Sequence, residues 1–313
     1  MTPFQRLLNG DVAILARAIS ILEGDTPEAD VLAERLRCYA GNARVVAFTG
    51  PPGAGKSTLI TAYISELRSR DLPVAVLAVD PSSPLSGGAV LGDRTRMGEH
   101  IFDKHVFIRS IAARGHLGGL SGTIPAILDA VDAAGWPVII LETVGAGQSE
   151  TEVVEFADVK VVLSAPGLGD DVQAIKAGIL EIADVFVVNK SDLPFADRTA
   201  RQLEAMQKLR PANRQNIPIL KVSATERIGV RELASAINDI FEGGGVATPE
   251  ERIARRVRGA LLRRAMATVR SRIDSVSIDA VDTLCADVRL GKKSLDRAAS
   301  KLLSMVFNSE VDT

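Results

Sequence analysis

Cysteine and histidine are scarce in this sequence, which contains two cysteines and three histidines among 313 residues. Cys38 and Cys285 lie far apart, and neither belongs to a closely spaced pair of the kind that binds zinc. The histidines form no tract and no pair one helical turn apart. A disulfide framework and a histidine-rich metal store are therefore excluded, and we expect two reduced thiols.

Long apolar runs and an excess of positive charge are also missing. No uninterrupted apolar run approaches the roughly 18 residues that are needed to span a bilayer, and the first residues, Met1 to Arg6, lack a signal-peptide pattern. The net charge is −2 and only 4% of the residues are aromatic, which disfavours a surface for nucleic acid. We expect a cytoplasmic protein that binds neither membrane nor nucleic acid.

A glycine-rich loop between two apolar segments is the most informative feature that is present. Residues 50–57, GPPGAGKS, fit the pattern G-x-x-x-x-G-K-[ST]. Because the loop follows a strand-like run and precedes a helix-like run, its amides and a helix N-terminus would converge on one anion. Lys56 is placed to reach the β- and γ-phosphates, and Ser57 to ligate Mg²⁺. The predicted phosphate-binding residues are Gly50, Pro51, Pro52, Gly53, Ala54, Gly55, Lys56, Ser57 and Thr58.

A second motif, N-K-S-D at residues 189–192, indicates which base is bound. A carboxylate such as Asp192 accepts two hydrogen bonds from the N1–H and the exocyclic amine of guanine, a donor pair that adenine lacks. We therefore predict selection of GTP over ATP. Residues 223–225 follow another apolar run and resemble the last guanine-contacting loop of G domains. The predicted base-contacting residues are Asn189, Lys190, Asp192, Ser223, Ala224 and Thr225.

Short β-branched segments alternate with amphipathic ones and predict the fold. Strands are expected near residues 45–49, 74–79, 106–110, 138–142, 159–164, 185–189 and 219–222. Crossover helices are expected near residues 57–70, 123–134, 171–182, 197–209 and 229–241. Continuous apolar strands are typical of a parallel sheet that is covered on both faces. The predicted fold class is α/β, a doubly wound, mainly parallel P-loop NTPase domain with its ligand at the carboxyl ends of the strands.

The chain divides into three segments by these patterns. Asp11 and Thr26 can cap helices, so residues 1–43 are predicted to form a helical N-terminal extension. Residues 44–242 are predicted to form the P-loop GTPase domain. Three successive glycines then interrupt the alternation, and Thr248-Pro-Glu-Glu251 combines an N-cap with a capping-box glutamate. Residues 243–313 are therefore predicted to form a helical C-terminal arm.

The first helix of this arm carries an apolar stripe and many arginines. The apolar residues that recur at every fourth position are Ile253, Val257, Leu261, Ala265, Val269 and Ile273. Eight arginines between positions 252 and 272 occupy much of the remaining surface. The pattern fits a packed stripe with a solvated basic face, or an interface with a partner or a second copy. Nucleic-acid binding is disfavoured, because no aromatic residues interleave with the arginines.

Carboxylates stand in the loops between the two nucleotide motifs. Asp80 and Asp93 belong to one loop, residues 80–96, that directly follows a predicted strand. Glu142-Thr-Val-Gly145 follows another predicted strand and resembles the D-x-x-G segment of other G proteins. Because Mg²⁺ prefers oxygen ligands, the predicted metal-associated residues are Ser57, Asp80, Asp93 and Glu142. The predicted catalytic residues are Lys56, Asp93 and Glu142.

The residue that would orient the attacking water is not evident. Ala146 stands where Ras-like proteins carry a glutamine, so we expect slow intrinsic hydrolysis. Gln148 lies two residues further on and is a candidate for this role, with a plain loop residue as the alternative. We expect a partner to complete or rearrange the site.

Together, these motifs closely resemble those of the MeaB/ArgK family of SIMIBI-class G proteins. The matching segments are the phosphate loop and residues 79–84, 87–88, 92–97, 142–150, 169–176 and 189–192. The likeness extends over roughly residues 5–240 and is more specific than a phosphate loop alone. Members of this family are chaperones of adenosylcobalamin-dependent acyl-CoA mutases, of which methylmalonyl-CoA mutase is the best-known client.

The resemblance implies several roles. Asp80, Asp93 and Glu142 fall on acids that the family associates with Mg²⁺, and GTP or GDP with Mg²⁺ are the expected cofactors. Residues 167–177 fall on an extra switch segment that reports the nucleotide state to the mutase. The residues of that segment that match are Gly169, Asp170, Asp171, Gln173 and Lys176. A homodimer through the C-terminal arm is also implied.

The predicted function is a GTPase chaperone that gates cofactor loading of the mutase and protects or reactivates it. One alternative is a kinase or ATPase that acts on a transport protein, which the guanine motif disfavours. A second is a metallocentre-insertion GTPase, which the scarcity of histidine and of paired cysteine disfavours. A targeting module for membrane-protein synthesis would need a methionine-rich appendage, whereas five methionines are scattered along this chain.

Overall fold

The computed structural model describes residues 1–24, 26–81, 97–113, 119–143, 156–167, 181–208, 210, 216–244 and 246–307. Its strands are β1 (Arg44–Thr49), β2 (Val74–Pro81), β3 (Val106–Ala113), β4 (Val138–Thr143), β5 (Val159–Ser164), β6 (Val185–Val188) and β7 (Ile219–Lys221). The α-helices in the described ranges are α1 (Pro3–Leu8), α2 (Val12–Leu22), α3 (Pro27–Arg37), α4 (Lys56–Arg68), α5 (Gly119–Ala133), α6 (Ala196–Gln207), α7 (Val230–Glu242), α8 (Pro249–Asp274), α9 (Ile278–Arg289) and α10 (Leu295–Phe307). All seven predicted strands are confirmed. The helix predicted near 171–182 lies almost wholly outside the described residues.

The seven strands form one sheet in the order β3-β2-β4-β1-β5-β6-β7, and every pair is parallel. Successive residues of a strand point to opposite faces. In β1, Val45 and Ala47 therefore join the core cluster on one face, and Val46 and Phe48 join the cluster on the other. Because both faces are covered, the strands are apolar throughout, which is why the sequence predicted a parallel sheet.

Different helices cover the two faces of the sheet. The first face packs against α5 and the N-terminal helices α1 to α3, which contribute Leu7, Leu15 and Leu36 to the core. The second face packs against α4 and α7, which contribute Leu59 and Leu233. The N-terminal helices are therefore an integral layer over the sheet, because their apolar side chains complete its core.

Local capping explains where the N-terminal helices begin. Asp11 accepts hydrogen bonds from the backbone N–H groups of Ala13 and Ile14, and Thr26 accepts one from Ala29. These bonds satisfy amides that have no partner within the first turn of a helix. Both caps were predicted, and both are confirmed.

The predicted cap of α8 is confirmed as well. The backbone N–H of Thr248 donates to Oε2 of Glu251 at 2.8 Å, and the backbone N–H of Glu251 donates to Oγ1 of Thr248 at 3.2 Å. This reciprocal pair is a capping box, and the proline that follows Thr248 occupies the first helical position.

The expectation of a solvated basic face is wrong for the start of α8. Arg252 and Arg256 are only 9% and 4% exposed. Arg252 donates to the carbonyl oxygen of Ala43 at 2.7 Å and to Asp158 at 3.3 Å, and Arg256 donates to Asp129 at 2.8 Å. A buried guanidinium is tolerated only with such partners. These two arginines therefore hold the first two turns of α8 against the segments that carry Ala43, Asp158 and Asp129.

The described chain divides into two compact units, Met1–Arg256 and Val257–Thr313. The second unit contains the remainder of α8 together with α9 and α10, and its buried side chains include Leu284 and Val306. Part of the apolar stripe of α8 is not packed, because Leu261 is exposed, as are its neighbours Leu262 and Met266. None of the described helices is both long and apolar enough to cross a membrane.

Candidate functional site

The phosphate loop connects β1 to α4, and two of its glycines are required by the geometry. Gly50 has φ +148°, and a Cβ at this position would lie 2.4 Å from the carbonyl oxygen of Leu163 in β5. Gly55 caps α4 with φ +84°, in the left-handed region that favours glycine. The loop therefore passes close to the neighbouring strand before the helix begins.

Lys56 is the first residue of α4, and its side chain is buried. Its Nζ donates to the carbonyl oxygens of Gly50 and Pro51 at 2.8 and 3.1 Å. The ammonium group thus lies within the curve of the loop, beside the N-terminus of a 13-residue helix. Positive charge and a helix N-terminus at one point favour a phosphate group there.

Ser57 and Glu142 meet at the carboxyl edge of the sheet. The hydroxyl of Ser57 donates to Oε1 of Glu142 at 2.6 Å, and the Glu142 side chain is buried. Glu142 lies near the end of β4, whose neighbours β1 and β2 place Phe48 and Ala78 opposite it. A hydroxyl and a carboxylate at this separation are oxygen donors of the type that Mg²⁺ prefers, so these two residues fit a magnesium site.

Sequence reasoning missed a buried hydroxyl pair beside this contact. Oγ1 of Thr143 donates to Oγ1 of Thr49 at 3.0 Å, and both side chains are buried. Thr49 directly precedes the phosphate loop, and Thr143 directly follows Glu142. The bond therefore joins the ends of β1 and β4 where the two loops leave the sheet. The one sign of this hydrogen-bonded pair in the sequence is that each threonine stands directly beside a motif.

Asn189 connects the guanine motif to the phosphate loop. Its Nδ2 donates to the carbonyl oxygens of Ala54 and Gly55 at 2.8 and 3.3 Å, and its Oδ1 accepts from the backbone N–H of Ala224 at 3.3 Å. A Cβ at Gly55 would lie 2.5 Å from that Nδ2. One buried amide therefore holds three loops together: the phosphate loop, the guanine motif and the 223–225 loop.

The carboxylate of Asp192 is exposed and fixed by the neighbouring loop. Oδ1 of Asp192 accepts a hydrogen bond from Oγ of Ser223 at 2.6 Å, and that Oγ lies 3.4 Å from Oγ1 of Thr225. The backbone N–H of Ser191 donates to the carbonyl oxygen of Val222, which holds the two loops side by side. An oriented, solvent-facing carboxylate can accept the paired N–H donors of guanine.

The structure thus brings the two predicted nucleotide motifs to one edge of the sheet. Asp80 is described through its backbone, near the carboxyl end of β2, but its side chain is not described. The other predicted residues without structural description are Asp93, Ala146, Gln148, Gly169, Asp170, Asp171, Gln173 and Lys176. Among the residues that are described, no group of three histidine, cysteine, aspartate or glutamate side chains could hold a metal ion.

Comparison with known proteins identifies the family. The profile of the family described as "Methylmalonyl Co-A mutase-associated GTPase MeaB" matches residues 15–280. One relative is a Pyrococcus horikoshii protein that is named as a GTPase. It is 47% identical to this chain over 239 residues, which cover 75% of this chain and 75% of that protein. The GTPase ArgK of Escherichia coli is 41% identical over 244 residues, which cover 75% of this chain and 74% of ArgK.

A solved structure agrees along nearly the whole chain. The crystal structure of a protein named LAO/AO transport system kinase has a TM-score of 0.73 and 26% identity to this protein, and the match covers 97% of this chain and 96% of that one. The profile match and the relatives that are named GTPases lead to the same conclusion. The chain belongs to the family of methylmalonyl-CoA mutase-associated GTPases named MeaB, and it hydrolyses GTP.

Proposed function

We propose that this GTPase is a chaperone of an adenosylcobalamin-dependent acyl-CoA mutase, with methylmalonyl-CoA mutase as its client. In this role, GTP binding and hydrolysis gate the loading of the cofactor and protect or reactivate the mutase. The match to a family described as mutase-associated over residues 15–280 carries the proposal. The nucleotide site supports it, because a chaperone of this kind needs a GTP-dependent change of state.

The site residues have distinct roles in the proposed reaction. Lys56 and the amides of the phosphate loop stabilise the negative charge of the transferring phosphoryl group. Ser57 and Glu142 hold Mg²⁺, with Asp80 and Asp93 as further metal-associated acids. When bound, the metal ion would neutralise charge on the phosphate oxygens. Support for this assignment comes from the 2.6 Å contact between Ser57 and Glu142.

Guanine selection is assigned to Asn189, Lys190, Asp192 and the 223–225 loop. The contact of Asn189 with the phosphate loop supports this assignment, because it sets the spacing between the base-reading carboxylate and the phosphate groups. The hydrogen bond from Ser223 holds that carboxylate in one orientation.

We assign partner communication to the residues around 167–177, including Gly169, Asp170, Asp171, Gln173 and Lys176. Because Ala146 offers no group that could orient water, hydrolysis is slow in the isolated protein and is stimulated by the mutase. We further propose that the arm forms a homodimer and that the protein acts in the cytoplasm. The exposed side chains of Leu261, Leu262 and Met266 support an interface on the arm.

A kinase that acts on a transport protein is the alternative with a specific observation in its favour, because the protein in the similar crystal structure is named a transport system kinase. That name belongs to the other protein. The oriented carboxylate of Asp192 argues against a kinase role for this chain, because adenine lacks the pair of N–H donors that this carboxylate can accept. A metallocentre-insertion GTPase is less well supported, because histidine and cysteine are scarce.

The proposal is tested by measuring GTP turnover of the purified protein alone and with each candidate cobalamin-dependent mutase from the same organism. We expect one mutase to accelerate GTP turnover, whereas ATP is inert. Tight GTP binding without stimulation by any mutase would overturn the client and leave the GTPase assignment intact. Transfer of labelled phosphate from ATP to a protein would favour the kinase alternative.

A further inference from the structure

The segment after residues 82–96 presents two adjacent apolar side chains to solvent. Phe102 is 93% exposed and Ile101 is 51% exposed. Isolated apolar residues on a surface are ordinary, but these two are adjacent, and Phe102 is the most exposed large apolar residue among those that the structure describes. We name these two residues the Ile101–Phe102 tip. Its exposure needs an explanation, because Met97 in the same segment is fully buried in the core.

The residue that precedes the tip is fixed to α4, the helix that follows the phosphate loop. His100 is buried, and its Nε2 lies 3.1 Å from the carbonyl oxygen of Thr61 and 3.2 Å from Oγ of Ser65. Together with the buried side chain of Met97, these contacts hold the first flank of the tip against the helix.

The residue that follows the tip is fixed to the same helix. Asp103 accepts a hydrogen bond from Nε of Arg68 at 2.9 Å and a second from the backbone N–H of His105 at 2.8 Å. The backbone N–H of Asp103 also donates to the carbonyl oxygen of His100. Both flanks are thus anchored while Ile101 and Phe102 point outward, and an anchored apolar tip loses little entropy when it binds.

The tip is linked to the nucleotide site on two sides. Thr61 lies five residues after Lys56, which is about 8 Å along the axis of α4. Glu99 accepts a hydrogen bond from Arg227 at 3.2 Å. Arg227 belongs to the loop that begins with the predicted guanine contacts at residues 223–225. A molecule on the tip would therefore contact a segment that is bonded to both the phosphate-loop helix and the guanine loop.

Charge and shape indicate what kind of partner fits. Lys104 is exposed, and within the described chain it has no ion-pair partner, so a partner with carboxylates at this position would gain an attraction. The cavity between α4 and α7 of this chain is lined by Glu66, Arg70, Arg231 and two serines, which makes it unsuitable for an apolar tip. The tip therefore does not fit this cavity of a second copy, and the charge of Lys104 favours a partner protein with carboxylates beside its pocket.

We propose that the Ile101–Phe102 tip is a docking surface for the mutase partner, and that it inserts into an apolar pocket edged by carboxylates. This inference rests on the proposed function, because it names the surface through which the client reaches the nucleotide site. Phe102 is the central anchor, Ile101 adds apolar area, and Lys104 meets the acidic edge of the pocket.

The test compares Phe102→Ala with wild type and with Val31→Ala, which removes an exposed apolar side chain from α3. Binding of the purified client mutase is measured by titration calorimetry, and GTP turnover is measured with and without that mutase. We expect Phe102→Ala to weaken mutase binding about tenfold or more and to reduce the stimulation of GTP turnover. Phe102→Leu should recover part of the affinity, and Val31→Ala should match wild type.

GTP affinity and unstimulated turnover should be the same in all four proteins, because none of the altered side chains belongs to the nucleotide site. Equal mutase binding by Phe102→Ala and wild type would overturn the docking surface and leave the proposed function standing. Loss of unstimulated turnover in Phe102→Ala would also overturn it, since that result indicates a structural role. Failure of the wild-type protein to bind any mutase would overturn the proposed function and this inference with it.

Discussion

Nη1 of Arg256 donates to Oδ1 of Asp129 at 2.8 Å, and each of the two side chains is only 5% exposed. This pair joins the second turn of α8 to α5. Burial raises the pKa of the Asp129 carboxyl, and the neighbouring guanidinium opposes that shift. The same guanidinium lies 3.8 Å from Asp132, whose carboxylate accepts the backbone N–H groups of Gly41 and Ala43.

Arg256→Ala should strongly destabilise the folded protein. Removing one partner leaves two buried carboxylates without their cation, and a loss of this kind costs about 3–5 kcal/mol. The measurement is the free energy of unfolding from urea denaturation. Arg258→Ala is the matched control, because Arg258 lies on the same helix and is exposed. If the free energy of unfolding falls by the same small amount in both variants, the buried pair of Arg256 and Asp129 does not stabilise the fold.

Gly55→Ala should abolish tight GTP binding. The added Cβ would lie 2.5 Å from Nδ2 of Asn189, and the backbone at Gly55 has φ +84°. Gly135→Ala is the control, because Gly135 has φ +86° and no atom within 4 Å of the added Cβ. The control should lose about 1–2 kcal/mol of stability from backbone strain alone and keep its GTP affinity. Similar GTP affinities in the two variants would refute the importance of the contact between Gly55 and Asn189.

Asp192→Asn should reduce the preference for GTP over ATP. An amide cannot accept both N–H donors of guanine as a carboxylate does, and the loss of charged hydrogen bonds should cost about tenfold to hundredfold in relative affinity. Competition binding of GTP against ATP measures this ratio. Asp239→Asn, in α7, serves as the control. An unchanged ratio of GTP to ATP affinity in Asp192→Asn would show that Asp192 does not select guanine.

Lys56→Ala should lower GTP turnover at least about hundredfold, because a charged donor to the phosphoryl oxygens is lost. Lys292→Ala removes an exposed lysine of the C-terminal unit and should leave turnover unchanged. Steady-state phosphate release measures both. Turnover retained by Lys56→Ala would contradict the assigned role of the phosphate loop in catalysis.

Asp103→Asn should make stability less dependent on pH in the acid range. Hydrogen bonds from the backbone N–H of His105 and from Arg68 hold the pKa of Asp103 below its ordinary value. The stabilisation is therefore present above the unfolded pKa of about 3.9 and is lost as the pH falls through the lower folded pKa. Because the pair is near the surface, the effect is below about 1 kcal/mol.

The experiment compares the free energy of unfolding of Asp103→Asn and wild type between pH 7 and pH 3. The wild-type protein should be the more stable of the two at pH 7, and the difference should shrink toward pH 3. A difference that stays constant over this range would show that the carboxylate of Asp103 does not contribute through its charge.

Local patterns in the sequence determined the chemistry of this protein. The phosphate loop and the N-K-S-D motif are each a continuous stretch of sequence. The chemistry expected of each one follows from residue types and spacing within a few positions. The caps at Asp11, Thr26 and Thr248 were predictable for the same reason, because each bonds amides within its own helical turn. The strands were found because a sheet covered on both faces demands continuous apolar runs.

Only the tertiary structure decided the contacts between distant segments. The order β3-β2-β4-β1-β5-β6-β7 places Asn189 against Gly55 and Ser57 against Glu142, and none of these distances follows from spacing along the chain. The periodicity of α8 predicts which arginines share a helix face, but it cannot show that Arg256 is buried, because burial depends on the carboxylates that α5 supplies. Sequence patterns report local geometry, whereas burial and pairing depend on what the rest of the chain brings to the same place.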